Sequence, residues 1–306
     1  MGRLAPFLAL VAIGTAWGTT TPLMKVAVAT GHQPFGIMLW QMLVSAALLA
    51  LILRLRGRLP LPLGPADLRL YAMVAAFGMV LPHFFSYTAI ARLPAGVMSI
   101  VISMVPLFAL PIALALGLER FRPVRLAGLV MGAVAIVLLM APQASLPAGA
   151  AAAFVAVAAL TPLCYAIEGA YVSGWGSRVA GPMQTLLGGT LLALFVVVPA
   201  TVLTGQSIDP FAPWGLAEAA VVTVGVVSTL AYSGFVALLR ATGAVFAAQV
   251  SYLVTGSGVV WAMLFLDERY SGWVWGALVL LFAGLFLVQP RPAAAPVMRA
   301  PGTPRA

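Results

Sequence analysis

Ten apolar runs, each close to 20 residues, leave this chain almost no choice of solvent. They cover residues 5–28, 34–53, 70–91, 94–117, 124–141, 149–173, 182–203, 214–239, 243–266 and 272–289. A helix of about 20 residues crosses the roughly 30 Å hydrocarbon core of a bilayer. A membrane strand would be about 10 residues long and would alternate polar with apolar, and no such alternation is present. Only 8% of the residues are charged and 63% are hydrophobic. Soluble domains carry roughly 25% charged residues, so this chain could not cover a water-facing surface. In lipid the backbone must satisfy its own hydrogen bonds, which restricts the runs to helices. The expected fold class is all-α integral membrane.

The basic residues set an orientation. With the N-terminus inside, Arg3, Arg54, Arg56, Arg58, Arg69, Arg120, Arg122, Arg125, Arg178, Arg240, Arg291, Arg299 and Arg305 fall on the cytoplasmic side. Only Lys25, Arg92 and Arg269 do not. This excess places both termini in the cytoplasm and demands an even number of spans. The net charge of +9 does not point to nucleic acid, because the arginines lie in short clusters between apolar runs. The single Cys164 cannot form an intrachain disulfide. The first run is too long for the core of a signal peptide and is expected to be retained. Residues 291–306, rich in Pro, Ala and Arg, are expected to form a disordered cytoplasmic tail.

The halves echo one another. Pro94-Ala95-Gly96 opens the fourth run, and Leu118-Glu119-Arg120 closes it. Gly243-Ala244-Val245 opens the ninth, and Asp267-Glu268-Arg269 closes it, at a constant offset of 149 residues. The chain therefore reads as two five-helix repeats, residues 1–142 and 149–290. Five is odd, so the second repeat enters the membrane inverted, as in many secondary transporters.

These features resemble the drug/metabolite transporter superfamily, in particular the EamA-type ten-helix transporters. The resemblance rests on Ala16-Trp17-Gly18 with Pro22 and Lys25, on the pattern from Ala95 through Pro106 to Glu119, and on its weaker copy ending in Glu268. The copy departs from the pattern at Thr255, where Pro106 stands in the first half, and the Trp-Gly motif returns only as Tyr165-Ala166. The resemblance implies an inner-membrane carrier of small metabolites, often working outward, without specifying one substrate.

Candidate substrate-binding residues are Trp17, His83, Tyr87, Tyr165, Glu168, Tyr232, Gln249 and Tyr252. Glu168 shares a helix face with Tyr165 and Tyr171. A charged side chain at the centre of a membrane helix costs about 2.5–3.5 kcal/mol, and those that persist usually face a cavity or pathway. The plain alternative is a buried ion pair, or a position near enough to the helix end to reach water. His83 follows Pro82, which frees a backbone carbonyl, and the imidazole could serve a substrate or simply bond that carbonyl. Gln249 and Tyr252 share a face and could hold a polar solute or bond a neighbouring helix. Trp17 offers a stacking face beside Gly18. Lys25 lies near the outer end and is expected to snorkel. Glu119 and Glu268 are expected to be interfacial structural residues, and Gln41 a helix contact. A central cavity is expected between the first, third, fourth, sixth, eighth and ninth runs.

A membrane-embedded enzyme needs a catalytic or metal constellation. With His32 in a loop and His83 alone, and with no P-loop or nucleophile elbow, none is evident. No cofactor or catalytic residue is expected. A receptor or scaffold would normally carry long loops or a soluble domain. The sequence favours a small-molecule transporter in the lipid bilayer, with proton coupling an open alternative.

Overall fold

The computed structural model describes residues 4–117, 123–140, 152–175, 180–242, 246 and 249–288. Its regular elements are all helical: α1 (Leu4–Gly18), α2 (Thr20–Val28), α3 (Pro34–Leu55), α4 (Pro65–Met73), a π-helical segment (Val74–Val80), α5 (Leu81–Ile90), α6 (Ala95–Ile102), α7 (Val105–Ala115), α8 (Pro123–Met140), α9 (Ala152–Trp175), α10 (Pro182–Thr204), α11 (Leu216–Thr242), α12 (Val250–Leu266) and α13 (Gly272–Val288). Proline opens α3, α4, α8 and α10, where its missing N–H costs nothing and its fixed φ favours the helix. Seven helical stretches are long and apolar enough to cross a membrane. Three more apolar helices, Pro123–Leu139, Val250–Leu266 and Gly272–Leu287, are shorter.

Three runs expected as single helices are interrupted. The first breaks at Thr19, between Gly18 and Pro22. The fourth breaks at Ser103 and Met104, just before Pro106, which cannot donate a helix bond. The third begins at Pro65, earlier than expected, and carries the seven-residue π segment ahead of Pro82. The ninth, expected from residue 243, includes α12 from Val250, and residues 243–245, 247 and 248 fall outside the described residues. The expectations for Glu119, Arg120 and the tail fall outside the described residues.

The packing pairs come in matched sets. α8 lies along α13, α6 against α12, and α3 against α10. α1 packs on α12 as α9 packs on α6 and α7, and α11 packs on α1 and α2 as α5 packs on α9. α11 also packs on α3, as α10 packs on α4 and the π segment. Hydrogen bonds show which connections share an end of the bundle. At one end Lys25 bonds Ile90 and Leu93, Phe35 bonds Gln206, Trp40 bonds Ile208 and His32 bonds Glu218. At the other, Arg56 and Arg58 meet Met183 and Gln184.

The main core joins α3, α5 and α6, with Ile37, Met38, Ile90, Met98 and Ile100 closed off completely. Large apolar side chains also point outward: Phe195 is 85% exposed and Leu203 86%. In water such a surface would aggregate. In a bilayer it is the face the lipid solvates.

Candidate functional site

Glu168 sits two-thirds of the way along α9, facing the π segment. The carboxylate lies over Gly78 so closely that a Cβ there would stand 2.7 Å from Oε1 and 2.8 Å from Cδ. A side chain at this position would push the carboxylate from its place. A π turn widens the helix, and such bulges recur at functional positions. Pro82, four residues after Gly78, withholds a further backbone bond from the same turn. Glu168 has neither a hydrogen-bond partner nor a cation beside it among the described residues.

Two tyrosines lie within electrostatic reach of this acid. Tyr165, one turn earlier on α9, interacts electrostatically with both Glu168 and Tyr87, and Tyr232 on α11 interacts with Glu168. Tyr87 is itself 1% exposed and donates to Gln41 Oε1 at 2.6 Å, linking α5 to α3. Ser86 and Thr161 share a hydrogen bond at 3.0 Å, and Thr161 also donates to the carbonyl of Pro82. His83 Nδ1 is buried with no hydrogen-bond partner among the described residues. The structure thus draws Glu168, Tyr165, Tyr232 and Tyr87 into one neighbourhood, with elements of both halves around it.

The other expected residues make different contacts among the described residues. Tyr252 packs edge-on against Phe282 of α13, 5.6 Å between centroids, with its hydroxyl buried and unpartnered. Trp17 packs on Phe235 in a separate apolar cluster. Gln249 is the exposed N-cap of α12, away from mid-helix. Lys25 does not snorkel: Nζ donates to the carbonyls of Ile90 at 2.8 Å and Leu93 at 2.9 Å. A cavity of about 310 Å³ lies off the expected central place. It is lined by Leu53, Arg56, Arg58, Gly181, Pro182, Met183, Gln184 and Val236, at the arginine-bearing end. Sequence reasoning missed Gly78, although its place four residues before Pro82 was a usable signal.

The Tyr87–Gln41 bond yields a first prediction. Tyr87→Phe should lower stability by about 1–3 kcal/mol, because Gln41 Oε1 is left buried without its donor. A thermal midpoint measured in detergent checks this. An unchanged midpoint would mean that Gln41 finds another donor.

The family comparison settles the class of protein. The model of the EamA-like transporter family matches the chain twice, over residues 4–141 and 152–289. The chain belongs to the EamA-like transporter family. Members are membrane transporters, so the apolar outer surface of this EamA-like chain is its lipid-facing surface. The chain is similar to the "Uncharacterized inner membrane transporter YedA" of Escherichia coli strain K12, with 26% identity over 310 aligned positions, 96% of this chain and 95% of that protein. YedA of E. coli O157:H7 gives the same identity and coverage. A solved crystal structure of a protein, 21% identical, superposes with a TM-score of 0.59 over 94% of this chain and 98% of its own length, a likeness of fold.

Proposed function

We propose that this EamA-like protein is a secondary carrier of amino acids or related polar and amphipathic metabolites, moving them outward across the bacterial inner membrane by alternating access. The helices form ten spans, in two inverted five-span repeats over residues 1–142 and 149–290. The matched packing pairs support this reading, since exchanging the halves maps one set of contacts onto the other. Both termini lie in the cytoplasm, so the end bearing Arg56 and Arg58 is the inner one and the end bearing Lys25 and Glu268 the outer.

The observation that carries the reading is the Glu168 carboxylate, which has no partner among the described residues. A buried charge without a partner is expensive, and one at membrane depth marks a pathway. Its environment of tyrosines suits a solute with an amino group and some apolar body: the carboxylate attracts the ammonium, and ring faces add cation–π attraction. Trp17, His83, Gln249 and Tyr252 lie along the route that opening between the repeats would expose. A proton taken up by Glu168 is the competing use of the same group.

Metabolite profiling tests the function. Cells overproducing the protein are expected to release a small set of amine-bearing metabolites at least threefold faster than cells without it. Liposomes holding the purified protein should move the same compounds. Release and liposome flux indistinguishable from controls would sink the carrier reading.

A further inference from the structure

We propose that Glu268, Tyr270 and Lys25 form a clasp that holds the outer end of the path shut, and that it must release before that end can open. The proposal rests on the carrier reading. Glu268 lies just past α12, in the second repeat, where Asp267 adopts a left-handed φ of 52° and turns the chain back. Its carboxylate reaches across to the first repeat. Oε1 accepts from the N–H of Ala95 at 2.8 Å and Oε2 from the N–H of Gly96 at 3.2 Å. These are first-turn donors of α6, which have no partner within their own helix. An acid there gains both from the helix dipole and from charge-assisted bonds.

Tyr270 completes the grip. The hydroxyl accepts from the N–H of Gly96 at 3.0 Å and donates to Glu268. Burial and the adjoining carboxylate hold it well above the ordinary phenol range, so it stays a donor. A Cβ on Gly96 would stand 2.2 Å from that hydroxyl. Lys25 anchors the same turn by its bonds to Ile90 and Leu93, and feels the charge of Glu268. The carboxylate therefore ties the start of α6 to the link from α12 to α13, and Lys25 ties α2 to the turn between α5 and α6.

Beneath the clasp the helices approach closely at two glycines. A Cβ on Gly18 would stand 2.1 Å from Ser257 Oγ, and one on Gly258 2.4 Å from Ser99 Oγ. At the arginine end, among the described residues, Gln184 Nε2 donates to the carbonyl of Arg58 at 2.9 Å and Arg56 approaches Met183 Sδ at 3.6 Å, and these residues line the 310 Å³ cavity. An ordinary helix cap comes from the residues just before the helix. This one comes from 172 residues away, in the other repeat, and from a half-buried side chain that water can replace. Those are the properties of a contact that can be exchanged.

The test reads accessibility and needs no substrate. Cys164→Ala removes the native thiol, and Ser99→Cys places a near-isosteric one beneath the clasp. A membrane-impermeant maleimide is applied to either face of oriented vesicles. Glu268→Gln should raise labelling from the outer face at least fivefold, Tyr270→Phe by a smaller factor, and neither should raise it from the inner face. Unchanged outer labelling in both variants overturns the clasp. An equal rise from both faces overturns it too, since that reports general loosening. If outer labelling rises as expected while the metabolite assay shows no flux, the clasp stands and the carrier reading fails.

Discussion

Glu168→Gln is expected to cut transport at least tenfold while leaving the protein as stable as the parent, or more so. Glutamine keeps the shape that fits over Gly78 and removes the charge. No cation or hydrogen bond among the described residues depends on that charge, so folding loses nothing with it. Insertion gains, because a neutral amide is cheaper than an ion at membrane depth. Transport loses the charged group that Tyr165 and Tyr232 adjoin. Tenfold corresponds to about 1.4 kcal/mol, less than the cost of breaking many desolvated charge pairs. Uptake into liposomes across a pH series separates two uses. If the carboxylate binds an ammonium group, affinity falls and the residual pH dependence is little changed. If it carries a proton, the pH dependence flattens and affinity changes less. Wild-type transport at every pH rejects both. Flux that falls only in proportion to folded protein marks Glu168 as structural.

The sequence made the helices legible because bilayer thickness sets a common length: seven helical stretches are long and apolar enough to cross, and three more apolar helices are shorter. The interruptions were harder. Thr19, Ser103 and the π segment all lie inside apolar runs, and hydropathy does not register them. The prolines at 22, 82 and 106 did mark the neighbourhoods, yet proline alone does not say whether a helix kinks, widens or restarts. Glu168 was legible as a rare ion in an apolar run, and Tyr165 followed from helical spacing. Tyr232 could be joined to them only in three dimensions, because α11 meets α9's neighbourhood through tertiary packing. Tyr252 and Gln249 show the converse. Their spacing placed them on one face, but α12 starts at Val250, leaving Gln249 as an exposed cap, while Tyr252 turns toward Phe282. For Lys25 the snorkelling expectation missed the carbonyls of Ile90 and Leu93, 65 and 68 residues distant in sequence. A sequence run shows which ions are unusual, and long-range geometry shows what they hold.

Gly18→Val should be among the most destabilising single substitutions in the chain. Small residues let membrane helices approach closely, and that contact stabilises the pair without help from a hydrophobic driving force. At Gly18 the approach of α1 to α12 is close enough that a Cβ would meet Ser257 Oγ at 2.1 Å, the carbonyl oxygen of Val254 at 2.9 Å and the N of Gly258 at 3.0 Å. The serine can rotate, but the two backbone atoms cannot move without shifting the helix. Overpacking of this kind costs about 1–3 kcal/mol, occasionally more, and should appear as a lowered thermal midpoint in detergent. Gly276→Ala is the control, because nothing lies within 4 Å of its Cβ position, and its midpoint should stay near the parent's. Adding Ser257→Gly to Gly18→Ala should recover part of the loss and not all of it, since the backbone contacts remain. If Gly18→Ala alone is as well tolerated as Gly276→Ala, the helices are further apart than this structure places them, and the close approach beneath the clasp loses its basis.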